Sequence, residues 1–240
     1  NRDEVVNAIS RELVIRKSYL TEEPIETIYF GGGTPSVLST SQIQSILNTI
    51  ADTYEVIANP EITLEANPDD LTKEKLQQLK HAGINRLSIG IQSFFEEHLV
   101  WMNRAHNAKE SLQCLEWTKE TGFDNITIDL IYGVPQMTDQ QWEENIDIAL
   151  SLNIPHISAY NLTVEEKTAL HYQIEKGTSL ALDDAQGERN FLMLQDKLKA
   201  VNFVHYEISN FGKEGFFSKH NTSYWQGKKY LGVGPSAHSF

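Results

Sequence analysis

Short apolar runs alternate with amphipathic segments along this chain, and that alternation leaves few folds open. Runs rich in Ile, Leu, Val and Tyr lie near residues 25–30, 61–66, 86–92, 125–132, 155–161 and 203–209. Between them lie helical patterns near 40–54, 72–82, 108–121, 139–152 and 184–201. A strand followed by a helix, repeated, predicts a parallel sheet with helical crossovers. Most of the runs are near-continuously apolar rather than alternating, so both faces are expected to be covered, by helices or by a barrel interior. No Gly-x-Gly-x-x-Gly follows the first run, which favours a curved, barrel-like α/β sheet over a dinucleotide-binding domain. Boundary chemistry agrees. Thr72 is placed to cap the helix near 72–82 and Gly83 to end it, and Thr138 with Gln141 makes a capping box for the helix near 139–152.

At 240 residues, 40% hydrophobic and 22% charged, the chain can bury one sizeable core. The 33 acidic against 20 basic residues, a formal charge of −13, argue against nucleic acid or an anionic membrane as a partner. No apolar stretch approaches the roughly 18 residues of a spanning helix, and no signal-peptide pattern opens the chain, so membrane insertion is not expected and a cytoplasmic location is. The single cysteine, Cys114, excludes an intrachain disulfide and a four-cysteine metal site. It lies in the helical pattern Ala108, Leu112, Leu115, Thr118 and is expected to be a small buried residue. The first periodic segment, with Val5, Val6, Ile9 and Leu13 at helical spacing, ought to follow a strand in a βα succession. With Asn1 at the start and an apolar, glycine-bearing segment at the end, the chain is expected to be a fragment of a longer protein that lacks one strand at its front.

In a barrel of this kind, chemistry gathers at the carboxyl ends of the strands. Gly31-Gly32-Gly33-Thr34-Pro35-Ser36 stands directly after the first run, a loop whose backbone can close on a polar ligand. Glu65, Gln92, Asp129 and Asn161 end or nearly end later strands, and Arg104 follows the third run. Together they offer carboxylates and an amide for hydroxyls or an amine, and a guanidinium for a carboxylate, an inventory suited to a zwitterionic ligand carrying a ribose. His81, His106 and His171 lie on or beside predicted helices without a second ligand at metal spacing, and are expected to be exposed or to make local caps. Trp101, Trp117 and Trp142 are expected to pack, and Asp183-Asp184 to open the last long helix.

The motifs Gly-Gly-Gly-Thr-Pro-Ser at 31–36, Leu-Glu-Ala-Asn-Pro at 64–68, Arg-Leu-Ser-Ile-Gly-Ile-Gln-Ser at 86–93, Asn-Arg-Ala-His at 103–106 and Asp-Leu-Ile-Tyr-Gly-Val-Pro at 129–135 resemble those of a known family. It is the radical S-adenosylmethionine (SAM) enzymes of the oxygen-independent coproporphyrinogen III oxidase family. The resemblance implies a partial (β/α)6 TIM-like barrel holding SAM and a [4Fe–4S] cluster. It also implies that Gly32, Gly33 and Thr34 line the methionine amino group, that Glu65 and Gln92 contact the amine or ribose, that Arg104 pairs with the carboxylate, and that Asp129 binds the ribose hydroxyls. It identifies no catalytic residue in this chain. The family holds its cluster with Cys-x3-Cys-x2-Cys on the loop after the first strand, and no such motif occurs here. The chain as it stands is therefore expected to bind no cluster, the motif being assigned to the missing first strand and its loop.

The distal segment, with His205-Tyr206-Glu207-Ile208-Ser209-Asn210-Phe211, His220-Asn221-Thr222-Ser223-Tyr224-Trp225 and Gly232-Val233-Gly234-Pro235-Ser236-Ala237-His238-Ser239, is similar to the heme-chaperone branch of that family. The resemblance makes His220 the candidate axial ligand of heme, and implies heme or another tetrapyrrole as cargo and a heme-acceptor protein as partner. Domains are expected at 1–202, the truncated barrel, and 203–240, a distal strand and the His-Asn-x-x-Tyr-Trp segment leading toward a C-terminal domain. The readings are then a SAM- and cluster-dependent heme chaperone, alternatively a true coproporphyrinogen III oxidase, or, apart from any resemblance, a barrel hydrolase or lyase using Glu65 and Asp129 as an acid/base pair.

Overall fold

Helix and strand follow one another in the computed structural model much as the periodicity predicts; it describes residues 1–20 and 23–240. The elements are α1 (Arg2–Ile15), β1 (Ile25–Phe30), α2 (Thr40–Thr53), β2 (Val56–Ala66), α3 (Lys73–His81), β3 (Arg86–Gln92), α4 (Glu96–Trp101), α5 (Ala108–Glu120), β4 (Ile126–Tyr132), α6 (Asp139–Ser151), β5 (His156–Asn161), α7 (Ala169–Glu175), α8 (Asp184–Ala200), β6 (Val204–His205), β7 (Asn210–Gly212) and α9 (Lys219–Trp225). The chain forms two compact units. The first comprises Asn1–Ser88, Trp117–Asp124 and Ser218–Phe240, the second Ile89–Glu116 and Asn125–Phe217. Among the described residues no helix is long and apolar enough to cross a membrane.

In the first unit β1 and β2 pair in parallel, with Thr27 opposite Glu61, Ile28 opposite Ile62, Tyr29 opposite Thr63 and Phe30 opposite Leu64. Because strand side chains alternate between faces, Ile28 and Phe30 turn one way. They pack on the cluster of Val6 and Leu13 from α1 with Ile46 and Ile50 from α2. Thr27 and Tyr29 of β1, with Glu61, Thr63 and Glu65 of β2, occupy the opposite face. The expected run 61–66 is the second half of a longer strand, which begins at Val56 and passes through an irregularity in register opposite Ile25 and Thr27. Pro60, which has no N–H to give a ladder, lies in that irregular stretch. The Ser39–Gln42 capping box starts α2, and the Thr72 hydroxyl caps α3 by accepting from the Lys75 N–H at 3.2 Å. Gly83, at φ +102°, takes the chain out of α3 in the left-handed conformation that glycine adopts without strain.

In the second unit β4 runs parallel to β5, from Thr127 opposite His156 to Tyr132 opposite Asn161. β7 pairs antiparallel with both β5 and β6. The strand expected over 203–209 is therefore two short ones around a turn. The Ser209 N–H donates to the Glu207 carboxylate at 3.2 Å, and the Tyr206 N–H donates to the Asn210 carbonyl at 3.3 Å. These local bonds turn the chain where apolar content predicted extension. The predicted Thr138–Gln141 capping box starts α6, and Trp142 is fully buried, its indole N–H donating to the Asn190 carbonyl at 2.8 Å. Cys114 is buried on α5 as expected. His106, expected to be exposed or to make a local cap, is instead buried, with Nε2 bonded to the Ile91 carbonyl at 3.1 Å. His81 is exposed and bonds its own helix at the Gln77 carbonyl, 2.7 Å away.

Candidate functional site

The glycine loop and the helix α9 share one face of the β1–β2 pair. At Gly31 a Cβ would come within 2.5 Å of the Tyr29 ring and 2.9 Å of the Glu65 carboxylate, so no other residue fits without displacing both. Gly32 and Gly33 adopt φ of +71° and +102°, and a Cβ at either would meet open space. They are glycine for their backbone conformation, and their exposed side is accessible to a ligand. Glu65 ties the loop to the sheet: it accepts from the Tyr29 hydroxyl at 2.8 Å on one oxygen and from the Gly32 N–H at 3.1 Å on the other. Each carboxylate oxygen keeps acceptor capacity beyond one bond, so an amine brought to the loop still has a partner there. Thr34 is exposed and precedes a single turn at Pro35–Val37, which the Ser36 hydroxyl anchors by donating to Asp70 at 2.6 Å.

Helix α9 begins over a buried carboxylate. Glu61, only 6% exposed, accepts from the backbone N–H groups of Lys219 at 3.2 Å and His220 at 3.1 Å. Ser218 caps the helix by accepting from the Asn221 N–H. The negative charge therefore sits where the unpaired N–H groups of a helix start point. The His220 ring stacks on Tyr29, with centroids 4.6 Å apart and planes 17° from parallel. Its Nδ1 shares a 3.0 Å hydrogen bond with the Thr27 hydroxyl, and its Nε2 a 2.8 Å bond with the Tyr224 hydroxyl. Burial holds its pKa down at about 4, so the ring is neutral near neutral pH. The Tyr224 phenol is raised from its ordinary value, first by burial and then by Tyr230 and Glu65. Tyr224 and Trp225 nevertheless present 47% and 61% of their surface to solvent.

The structure puts His220 in the first turn of α9, half-buried against β1 and β2. Sequence reasoning missed Thr27, Tyr29 and Glu61. The available signal was their alternation with apolar neighbours, which marks a polar face on an otherwise apolar strand.

Gln92, Arg104 and Asp129 belong to the second unit. Gln92 ends β3, is 9% exposed, and has a φ of +65°, a conformation that side-chain-bearing residues seldom adopt. Arg104 is half-buried after α4, its backbone N–H donating to the Leu99 carbonyl at 2.9 Å. Asp129 is half-buried on β4, between the fully buried Ile128 and Leu130 and opposite Ser158 of β5. Asn161, at the end of β5, fills the space beside Gly187 of α8, where a Cβ would stand 2.9 Å from its side-chain oxygen. A buried network of Ser93, His98 and Asn145 holds the turn after β3: Asn145 Oδ1 accepts from the Phe94 N–H at 2.7 Å, and Ser93 Oγ lies 3.0 Å from His98 Nδ1. Burial lowers the His98 pKa, consistent with a neutral structural imidazole.

Among the described residues no group of three or more His, Cys, Asp or Glu is arranged to hold a metal ion. An iron–sulfur cluster does not fit this chain, whose one cysteine is buried on α5 and cannot supply three thiolates. The open glycine loop beside Glu65 does suit the amino end of SAM.

A model of the radical SAM superfamily matches residues 4–149. The heme chaperone HemW of Bacillus subtilis (strain 168) is 38% identical over 239 residues, 99% of this chain and 63% of that protein. HemW of Lactococcus lactis is 37% identical over 218 residues, 91% of this chain and 58% of that protein. The mitochondrial radical S-adenosyl methionine domain-containing protein 1 of Bos taurus is 35% identical over 235 residues, 96% of this chain and 53% of that protein. The chain thus spans about three-fifths of the length of the bacterial relatives. The solved structure of coproporphyrinogen III oxidase (HemN) from Escherichia coli, a radical SAM enzyme, superposes with a TM-score of 0.77 at 23% identity, covering 99% of this chain and 57% of that one. That likeness shows the fold, the partial (β/α)6 TIM-like barrel expected from the sequence.

Proposed function

Because the chain belongs to the radical SAM superfamily, we propose that it is the SAM-binding part of a heme chaperone, which takes up heme and passes it to an acceptor protein. The observation that carries this reading is His220. It is a neutral imidazole anchored to β1 and β2, beside the exposed flat rings of Tyr224 and Trp225. A neutral imidazole ligates heme iron without first losing a proton, and the two aromatic rings offer apolar surface to a macrocycle. The similarity to chaperones named for heme supports the same cargo. The similarity to the oxidase is a likeness of fold and assigns no reaction.

Gly32, Gly33, Thr34 and Glu65 are proposed to receive the amino end of SAM, with Glu65 as the acceptor. The roles implied for Gln92 in contacting amine or ribose, Arg104 in pairing with the carboxylate and Asp129 in binding the ribose hydroxyls are proposals of the same standing. When bound to a cluster-bearing protein SAM supplies a 5′-deoxyadenosyl radical; no step of that kind is assigned to these residues.

Hemin titration followed by Soret absorbance tests the reading. The chain is expected to bind with a defined stoichiometry, His220→Ala to lose the bound spectrum, and the loaded chain to release heme to an apo-globin used as the acceptor probe. An unchanged titration in His220→Ala would overturn the assignment.

A further inference from the structure

We propose that the Tyr224 hydroxyl is a latch on the iron-binding nitrogen of His220, and that Thr27 is the positioning residue that directs the ring's proton to the other nitrogen. The inference rests on the heme reading above and concerns how the same site is opened.

His220 is held from three directions by rigid structure. Its backbone N–H donates to Glu61 of β2 at 3.1 Å, its Nδ1 meets Thr27 of β1 at 3.0 Å, and its face lies on Tyr29 of β1. A histidine that ligates a metal through Nε2 carries its proton on Nδ1 and gives it to a neighbouring oxygen, which fixes tautomer and orientation. Thr27 Oγ1 occupies that position. Nε2 is then the acceptor, and what it accepts is the Tyr224 hydroxyl at 2.8 Å.

Unlike Thr27, Tyr224 is not on a strand. It lies one turn along the same short helix, 47% exposed, with its ring edge-on to His220 and Tyr230 at 5.0 and 4.8 Å. A side-chain rotation that breaks one hydrogen bond and these edge contacts uncovers Nε2, whereas uncovering Nδ1 requires α9 to leave the sheet. Iron therefore reaches Nε2 only after Tyr224 turns away. Until then the neutral imidazole is satisfied on both nitrogens, which keeps the site closed to other electrophiles and metal ions.

The test combines hemin titration with stopped-flow association, on the unmodified chain and on the Tyr224→Phe, Thr27→Val and His220→Ala variants, with nitrogen-15 NMR of the His220 ring in the heme-free protein. Tyr224→Phe keeps the ring and removes the latch. It is expected to bind hemin about five-fold more tightly, the equivalent of one net hydrogen bond of about 1 kcal/mol, chiefly through faster association. Its heme-free spectrum should show Nε2 losing the shift of a hydrogen-bonded acceptor. Thr27→Val should weaken binding and move the heme-free ring from the Nδ1–H form toward a mixture of tautomers, a change that a merely structural threonine would not cause.

If His220→Ala binds hemin as the unmodified chain does, the heme reading fails and the latch with it. If His220→Ala loses binding while Tyr224→Phe binds no faster and no tighter, the latch alone is wrong. Loss of the bound spectrum in Tyr224→Phe would make the phenol a ligand and also overturn the latch.

Discussion

Acidification should detach α9 from the β1–β2 face, and the magnitude can be worked from His220. Docking lowers the pKa of this ring from 6.5 to about 4, because burial disfavours the charged form. The docked state therefore binds fewer protons than the undocked one between those values, and docking strengthens as pH rises. The contribution is present in full above pH 6.5 and is lost as pH falls through about 4. At about 1.4 kcal/mol per pKa unit it amounts to about 3 kcal/mol.

The assay is amide hydrogen exchange of residues 219–225 between neutral pH and pH 4, read as the free energy of local opening. The expected profile is flat above pH 6.5 and falls by up to about 1.4 kcal/mol per pH unit below it. His220→Asn, which keeps a polar partner for Thr27 and cannot titrate, isolates the share of the imidazole. Opening that is independent of pH across this window, or a His220→Asn variant that retains the whole of the slope, would show that the buried imidazole does not set the pH response. A ring titrating near its ordinary value in the folded protein would show the same.

Three further outcomes follow from the geometry. Gly31→Ala drives a methyl into the Tyr29 ring and the Glu65 carboxylate; it should cost about 1–3 kcal/mol in urea unfolding, and weaken SAM binding measured by calorimetry. Glu65→Ala removes the carboxylate that accepts from the Gly32 N–H and the Tyr29 hydroxyl and should reduce SAM affinity at least ten-fold, about 1.4 kcal/mol, while hemin binding at α9 changes less. Thr138→Ala removes the N-cap of α6 and should lower stability by about 1 kcal/mol with no effect on either ligand, which thermal unfolding and the two titrations would show.

Short-range chemistry was legible in the sequence. The capping box at Thr138 and Gln141, the Thr72 cap and the Gly83 exit all lie within a few residues of the helix ends they define, so a linear reading finds them. The apolar runs located most of the strands for the same reason. Helices α4, α7 and α9 went unseen because six or seven residues are too few to display a helical period. The run at 203–209 misled because apolar content does not register a turn made by one glutamate side chain and one hairpin bond. His106 read as an exposed or locally capping histidine, since nothing near it in sequence announces the Ile91 carbonyl that it meets.

The candidate site divides along the same line. The sequence alone determined which residues are available: three glycines that leave the backbone open, strand-end carboxylates, one histidine beside two aromatic residues, and too few cysteines for a cluster. Tertiary structure decided what His220 is. Thr27 lies 193 positions away in the chain and Glu61 lies 159, and their hydrogen bonds to His220 exist only once α9 packs on β1 and β2. Burial on that face, rather than any neighbour in sequence, makes the imidazole neutral and turns one nitrogen to the sheet and the other to Tyr224. A ring's tautomer and accessibility depend on the groups within about 3 Å of it, and for this ring all but Tyr224 come from distant parts of the chain.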